Sequence, residues 1–130
     1  MMQSKNLMKA IVLLGPDDFE LQHIPVPEPE ADEVLCKIHA VAICGSDPKF
    51  IHGDMKGIWP PYYPFVIGHE WAGEVVELGS AVKSLRIGQR VSGEAHAGCG
   101  VCEMCKSGRY NLCLNYGRKE KGHRHYGHNS

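Results

Sequence analysis

The sequence predicts a mainly β, barrel-like domain with short helices. Two observations point there. The first is turn chemistry: 15 glycines and 8 prolines punctuate 130 residues, too often for long helices. The second is the apolar patterning, which resolves into about six short strand-like stretches separated by turn signals. No internal repeat or low-complexity block interrupts this order.

Residues 1–6 read as a frayed start. "LMKAIVLL" (7–14) reads as a strand and "GPDD" (15–18) as the turn after it. "FELQHIPVP" (19–27) alternates in part and ends in prolines, which suit a sheet edge. "PEPEADE" (27–33) is a polar turn. "EVLCKIHAVAIC" (33–44) alternates at Val34, Cys36, Ile38, Ala40 and Ala42, as a long strand would. "GSDPKFIHGDMKG" (45–57) opens with a short helix or turn. "IWPPYYP" (58–64) has too many prolines for a helix interior or a central strand. "EWAGEVVELG" (70–79) and "QRVSGE" (89–94) read as strands, and residues 115–130 form a polar tail with no assigned element.

The bulk numbers set limits. A chain of this length fits one domain and can bury a core without obligatory cross-links. The apolar fraction is 43% and the charged fraction 22%, as in ordinary globular proteins. Net charge is −1, which gives no general attraction to nucleic acid or to an anionic membrane. The apolar run at residues 10–14 is far shorter than the ~18 residues of a membrane span, and no cleavage site follows it. A reducing, cytoplasmic setting is the simplest expectation, and there closely spaced cysteines bind metal more often than they form disulfides.

Four of the six cysteines lie in "CGVCEMCKSGRYNLC", as Cys99-x2-Cys102-x2-Cys105-x7-Cys113. Four thiolates at ~2.3 Å satisfy tetrahedral Zn²⁺ and leave no position for water or substrate, so such a site is structural. An iron–sulfur cluster fits less well. The bacterial ferredoxin run closes with a gap of about three residues and a proline, whereas here the last gap is seven and Leu114 follows. A nucleic-acid zinc ribbon would need aromatic interleaving among Lys106, Arg109, Arg118, Lys119, Lys121 and Arg124. That interleaving is thin, and these charges read as a solvated face.

Two cysteines remain. Cys36 shares its strand phase with Val34 and Ile38 and reads as a small buried hydrophobe. Cys44 ends its strand before "GSD", where a chain reversal exposes side chains. Downstream lies "GHE", Gly68-His69-Glu70. Cysteine, histidine and carboxylate form the mixed set of a catalytic zinc, which keeps one position open. A separation of 25 residues between Cys44 and His69 proves nothing alone. The weight comes from "CGSD", "GHE" and the four-cysteine run occurring together in that order.

"GHEWAGEVVELGSAV" (68–82) matches the signature G-H-E-x2-G-x5-G-x2-V through Gly68, His69, Glu70, Gly73, Gly79 and Val82. On this match, the cysteine run and "LRIGQRVSGE" (85–94), the chain resembles the zinc-dependent, medium-chain alcohol dehydrogenases. The resemblance covers roughly residues 7–115 and points to their N-terminal GroES-like domain, a partly open β-barrel with a structural-zinc lobe at about 97–115. It implies that Cys44 and His69 bind the catalytic zinc. Glu70 is either a further ligand, as in polyol dehydrogenase relatives, or stands just behind it, the remaining ligand then lying beyond Ser130. It implies that Cys99, Cys102, Cys105 and Cys113 hold a second, structural zinc. Ser46 matches the hydroxyl that hydrogen-bonds the substrate alcohol and passes on its proton. Asp47 matches the carboxylate that orients the ligand histidine. Both residues also suit a helix N-cap.

The implied activity is oxidation of a secondary alcohol to a ketone with hydride transfer to NAD or NADP. The alternative is a non-catalytic zinc-binding structural or interaction domain. Gly45 and Lys49 depart from the animal-liver type, and "VSGEAH" (91–96) resembles threonine 3-dehydrogenases, so the polyol and threonine branches fit better. In the threonine branch the residue matching His96 lies near the active site; an ordinary surface or supporting histidine is the other reading. Phe50, Ile58 and Trp59 either line the substrate pocket or pack in the core. His123, His125 and His128 are expected in a solvated loop. No GxGxxG occurs, so the Rossmann cofactor domain is expected outside this chain, and residues 1–130 alone should bind zinc without turnover. Expected partners are a small-molecule alcohol and, in the full-length protein, further copies in a homodimer or homotetramer, with neither nucleic acid nor membrane.

Overall fold

A computed structural model describes residues 6–55, 60 and 62–125. The expected frayed start lies almost wholly outside the described residues, as do Ile58, Trp59 and His128. Among the described residues no helix is long and apolar enough to cross a membrane.

The chain opens with an antiparallel hairpin, β1 (Leu7–Gly15) and β2 (Asp18–Pro25). Pro16 and Asp17 make its turn, with Asp17 at φ 57°. A short strand, β4 (Phe65–Val66), pairs with the other edge of β1 through Val12↔Val66 and Leu13↔Phe65. The order is β2-β1-β4, so the proline-ended β2 sits at an edge, as its sequence predicts. Ala10, Val12 and Leu13 of β1 turn inward, and Leu13 and Phe65 are fully buried.

The second sheet has the order β3-β5-β6, from Val34–Ala42, Glu70–Leu78 and Arg90–Ser92. Two bulges interrupt the β3–β5 ladder. Val76 is extra on β5, and His39 is extra on β3. Each extra residue shifts which side chains face inward. This corrects the simple alternation expected of β3: Val34 to Cys36 are half-buried, while Lys37 to Ala42 are exposed. On β5, Gly73 lies against Lys37, where a Cβ would stand 2.3 Å from the Lys37 carbonyl oxygen. Only glycine permits that approach.

In the chain, α1 (Asp47–His52) lies between β3 and β4. Gly53, at φ 73°, ends it. Of its six residues only Asp47 and Phe50 are buried. Phe50 joins Leu13 and Phe65 in a core that Ile51, Met55 and Ile67 flank. Through Phe50, α1 ties this core to the segment that carries Cys44.

The lobe contains β7 (His96–Ala97), α2 (Glu103–Lys106) and a 3₁₀ turn at Tyr110–Leu112. Here the structure adds what the sequence did not predict. The polar tail holds a second 3₁₀ turn (Lys119–Lys121) and β8 (Arg124–His125), which pairs antiparallel with β7. His123 is 1% exposed, not solvated. Arg124 is no free surface charge either. Its guanidinium meets Glu30 at 2.8 Å, Glu33 at 3.2 Å and Asp32 at 3.5 Å. Eight strands thus form sheets of three, three and two among the described residues, and they do not close into one barrel.

Candidate metal centres

The first centre is assembled by strand register. Ala42 at the end of β3 pairs with Glu70 at the start of β5. Because the strands are antiparallel, Cys44, two residues after Ala42, lies beside His69, just before Glu70. Gly68, at φ 113°, supplies the backbone conformation that leads into His69. Ligand atoms of Cys44, His69 and Glu70 all come within 4.8 Å of one another. Cys44 is half-buried, His69 is 9% exposed and Glu70 faces solvent.

Asp47 supports this trio from behind. Its Oδ2 accepts the Cys44 backbone N–H at 2.8 Å, and its own N–H donates to the Cys44 carbonyl at 3.0 Å. Its Oδ1 stands 3.5 Å from His69 Nδ1. That distance is too long for a good hydrogen bond but close enough to orient the ring electrostatically. Asp47 is 5% exposed, and Oδ1 has no hydrogen-bond partner among the described residues. A buried carboxylate oxygen aimed at one imidazole nitrogen leaves the other, Nε2, for a cation. The donor set of thiol, imidazole and carboxylate fits zinc, with Glu70 at the solvent side. Ser46 occupies the helix N-cap position but makes no side-chain capping hydrogen bond. Its hydroxyl is therefore not engaged by the helix.

The second centre lies in the lobe. All six cysteines are free thiols, and the Cys99, Cys102, Cys105 and Cys113 sulfurs lie within 4.8 Å of one another. Cys99 and Cys105 are 4.0 Å apart, and Cys102 and Cys113 are 3.9 Å apart. Four sulfurs around a tetrahedral zinc at ~2.3 Å would stand about 3.8 Å from each other, close to these two spacings. Gly98 makes room for it: a Cβ there would come within 2.7 Å of the Cys105 sulfur. The Val101 backbone N–H, then the Asn115 amide at 3.3 Å, hold the Cys99 thiol down at about 6. Backbone N–H groups of Cys105 and Leu114 lower Cys102. Burial pushes Cys105 up to about 12. A divalent cation among the four sulfurs would offset that penalty.

His96, on β7, belongs to a third cluster. Its ring lies 5.6 Å from Tyr116 and 6.5 Å from His123, and Tyr116 and His123 are 4.8 Å apart. The Gly117 N–H donates to His123 Nδ1 at 3.3 Å. Of the two readings of Phe50, core packing holds: it is 4% exposed and stands edge-on to His69 at 6.2 Å. The sequence reading missed Asn115 and the burial of His123. Asn115, an amide two residues after a ligand-type cysteine, was a detectable signal.

Comparison with known proteins agrees with this geometry. The family model of the alcohol dehydrogenase GroES-like domain matches residues 30–128. Sorbitol dehydrogenase of Bombyx mori is 50% identical over 105 residues, 81% of this chain and 30% of that protein. L-threonine 3-dehydrogenase of a Chelativorans strain is 45% identical over 111 residues, 85% of this chain and 32% of that protein. The chain thus spans about a third of the length of these relatives.

Among solved structures, a putative zinc-binding dehydrogenase of Sinorhizobium meliloti bound to NADP superposes with a TM-score of 0.77 at 36% identity. That match covers 95% of this chain and 33% of the other. A cobalt- and zinc-bound thermostable alcohol dehydrogenase of Pyrobaculum aerophilum gives 0.76 at 26% identity, over 84% of this chain and 33% of the other. Zinc and NAD(P) are therefore features of these relatives. A match over residues 30–128, on a fold that already gathers both thiol-bearing centres, places the chain in the zinc-dependent alcohol dehydrogenase family, as its GroES-like domain.

Proposed function

We propose that the chain is the zinc-binding catalytic domain of an NAD(P)-dependent dehydrogenase that oxidises a secondary alcohol, of polyol or threonine type, to a ketone. The observation that carries this is the convergence of Cys44, His69 and Glu70 over the buried Asp47. A zinc ion held by this trio would supply Lewis acidity toward the alcohol oxygen, and a nicotinamide cofactor would accept the hydride.

The chain's own residues divide the remaining work. Asp47 holds the His69 ring and ties the Cys44 backbone to α1, so both ligands are fixed before a metal arrives. The Ser46 hydroxyl, not engaged in capping, takes the alcohol proton and hands it toward solvent. Glu70 stands at the exposed mouth, as a ligand or immediately beside one. Cys99, Cys102, Cys105 and Cys113 would hold a second zinc, which would cross-link the lobe. The contacts of His96 run to Tyr116 and His123, and they favour a supporting role in the lobe over one at the substrate. The branch assignment rests on relatives named sorbitol dehydrogenase and L-threonine 3-dehydrogenase.

Metal content tests this reading. Elemental analysis should give two zinc ions per chain. Cys44→Ser or His69→Ala should each leave one, and Cys102→Ser should remove the other. A single zinc that survives Cys44→Ser and His69→Ala unchanged would leave only the non-catalytic, structural reading.

A further inference from the structure

Helix α1 is six residues long, and both of its buried side chains reach His69. Asp47 and Phe50 are three positions apart and so share one helix face. Asp47 meets the edge of the imidazole at Nδ1, 3.5 Å away. Phe50 meets the ring itself, with centroids 6.2 Å apart and planes at 66°. One contact selects which nitrogen faces the carboxylate. The other limits rotation of the ring about its own axis, because an edge-on aromatic pair loses contact when one plane turns. Phe50 in turn is held by Leu13 of β1 and Phe65 of β4, both fully buried.

We propose that Phe50 is a positioning residue for the metal site: it fixes the plane of the His69 imidazole and thereby couples the Cys44–His69–Glu70 centre to the β1–β4 core. The inference rests on the reading that this trio binds metal. An imidazole lone pair is directional, so a ring free to rock delivers its nitrogen off axis and binds a cation more weakly. Leucine at position 50 would keep most of the apolar volume but present no ring edge. Val75 provides the control, since it is fully buried on β5 but lies outside the Leu13–Phe50–Phe65 core.

The experiment uses cobalt as the probe. The wild-type chain, Phe50→Leu and Val75→Ala are titrated with Co²⁺ after zinc removal. Visible absorption separates the four-thiolate site from the mixed site, and chelator competition gives each affinity. Phe50→Leu should weaken the mixed site about tenfold and shift its cobalt bands, leaving the four-thiolate site unchanged. Val75→Ala should lower stability without moving those bands. Phe50→Met, which keeps the length of the side chain, repeats the measurement if the leucine variant does not fold, with the same result expected. Two cobalt sites in the wild type, with bands and affinity unchanged in a folded Phe50 variant, overturn this inference alone. Uptake of only the four-thiolate cobalt by the wild type overturns the trio reading and this inference together.

Discussion

Asp47 divides one carboxylate between two duties. Oδ2 holds the backbone of Cys44, and Oδ1 faces His69. Asparagine would keep an acceptor for the Cys44 N–H but lose the charge that orients the imidazole. Asp47→Asn should therefore fold normally and bind metal at the trio about ten- to a hundredfold more weakly, as chelator competition would show, with the four-cysteine site unaffected. Equal affinity in the two proteins would remove Asp47 from the design. The ligand-type residues were legible in the sequence for a chemical reason: few side chains bind zinc, and their order and spacing are constrained. Phe50 was not legible as a neighbour of His69. An apolar residue in a short helix announces burial, but the partner it meets lies 19 positions away and is set by how α1 docks on the sheet.

The elements show the same division. The β1–β2 hairpin and β5 follow from local patterning and turn residues, and the structure has them where they were read. The bulged β3–β5 ladder does not follow, because a bulge is a property of two strands together. β8 was hidden for another reason. It is two residues long inside "GRKEKGHRHYGHNS", whose polarity suggests solvent, and only pairing with β7 gives it a place.

That pairing buries His123, and burial has a consequence for pH. An ordinary imidazole takes its proton near 6.5. Burial first, and the charge of His96 second, hold His123 below that value. The folded chain binds a proton at His123 less readily than the unfolded chain does. Its contribution is therefore complete above about 6.5 and is lost as pH falls below it, by at most about 1.4 kcal/mol per pH unit. The difference in unfolding midpoint between wild type and His123→Phe should narrow, or reverse in favour of the variant, from pH 7.5 to 5.5. A constant difference across that range would mean that His123 does not titrate in this way.

At the scale of the molecule, two centres share one chain but stand on different supports. The trio rests on the β1–β4 core through α1. The lobe is cross-braced by its own thiols, by Tyr110 donating to Glu94 at 2.9 Å, and by Arg124 gripping the turn between β2 and β3. Isolated surface ion pairs contribute about 0–1 kcal/mol, but here one guanidinium is shared by three carboxylates and is only 28% exposed. Glu30 and Arg124 are 94 positions apart, so the grip fastens the tail to the early part of the chain. "PEPEADE" reads in the sequence as a polar turn, with nothing to say what its acidic residues meet. The structure gives them Arg124 from the tail.

For a protease, this tail is a row of similar cleavage sites with different doors. Trypsin recognises Arg118, Lys121 and Arg124 alike in chemistry, but it must draw several residues of backbone into its cleft. Arg118 and Lys121 present exposed side chains, whereas Arg124 is committed to three acids and to a strand. The earliest products of a brief digest in low salt should end at Arg118 or Lys121 and not at Arg124. Glu30→Gln combined with Glu33→Gln, or salt near 0.5 M, should bring Arg124 into that first set. Early cleavage at Arg124 in the native chain would show that the grip does not hold in solution.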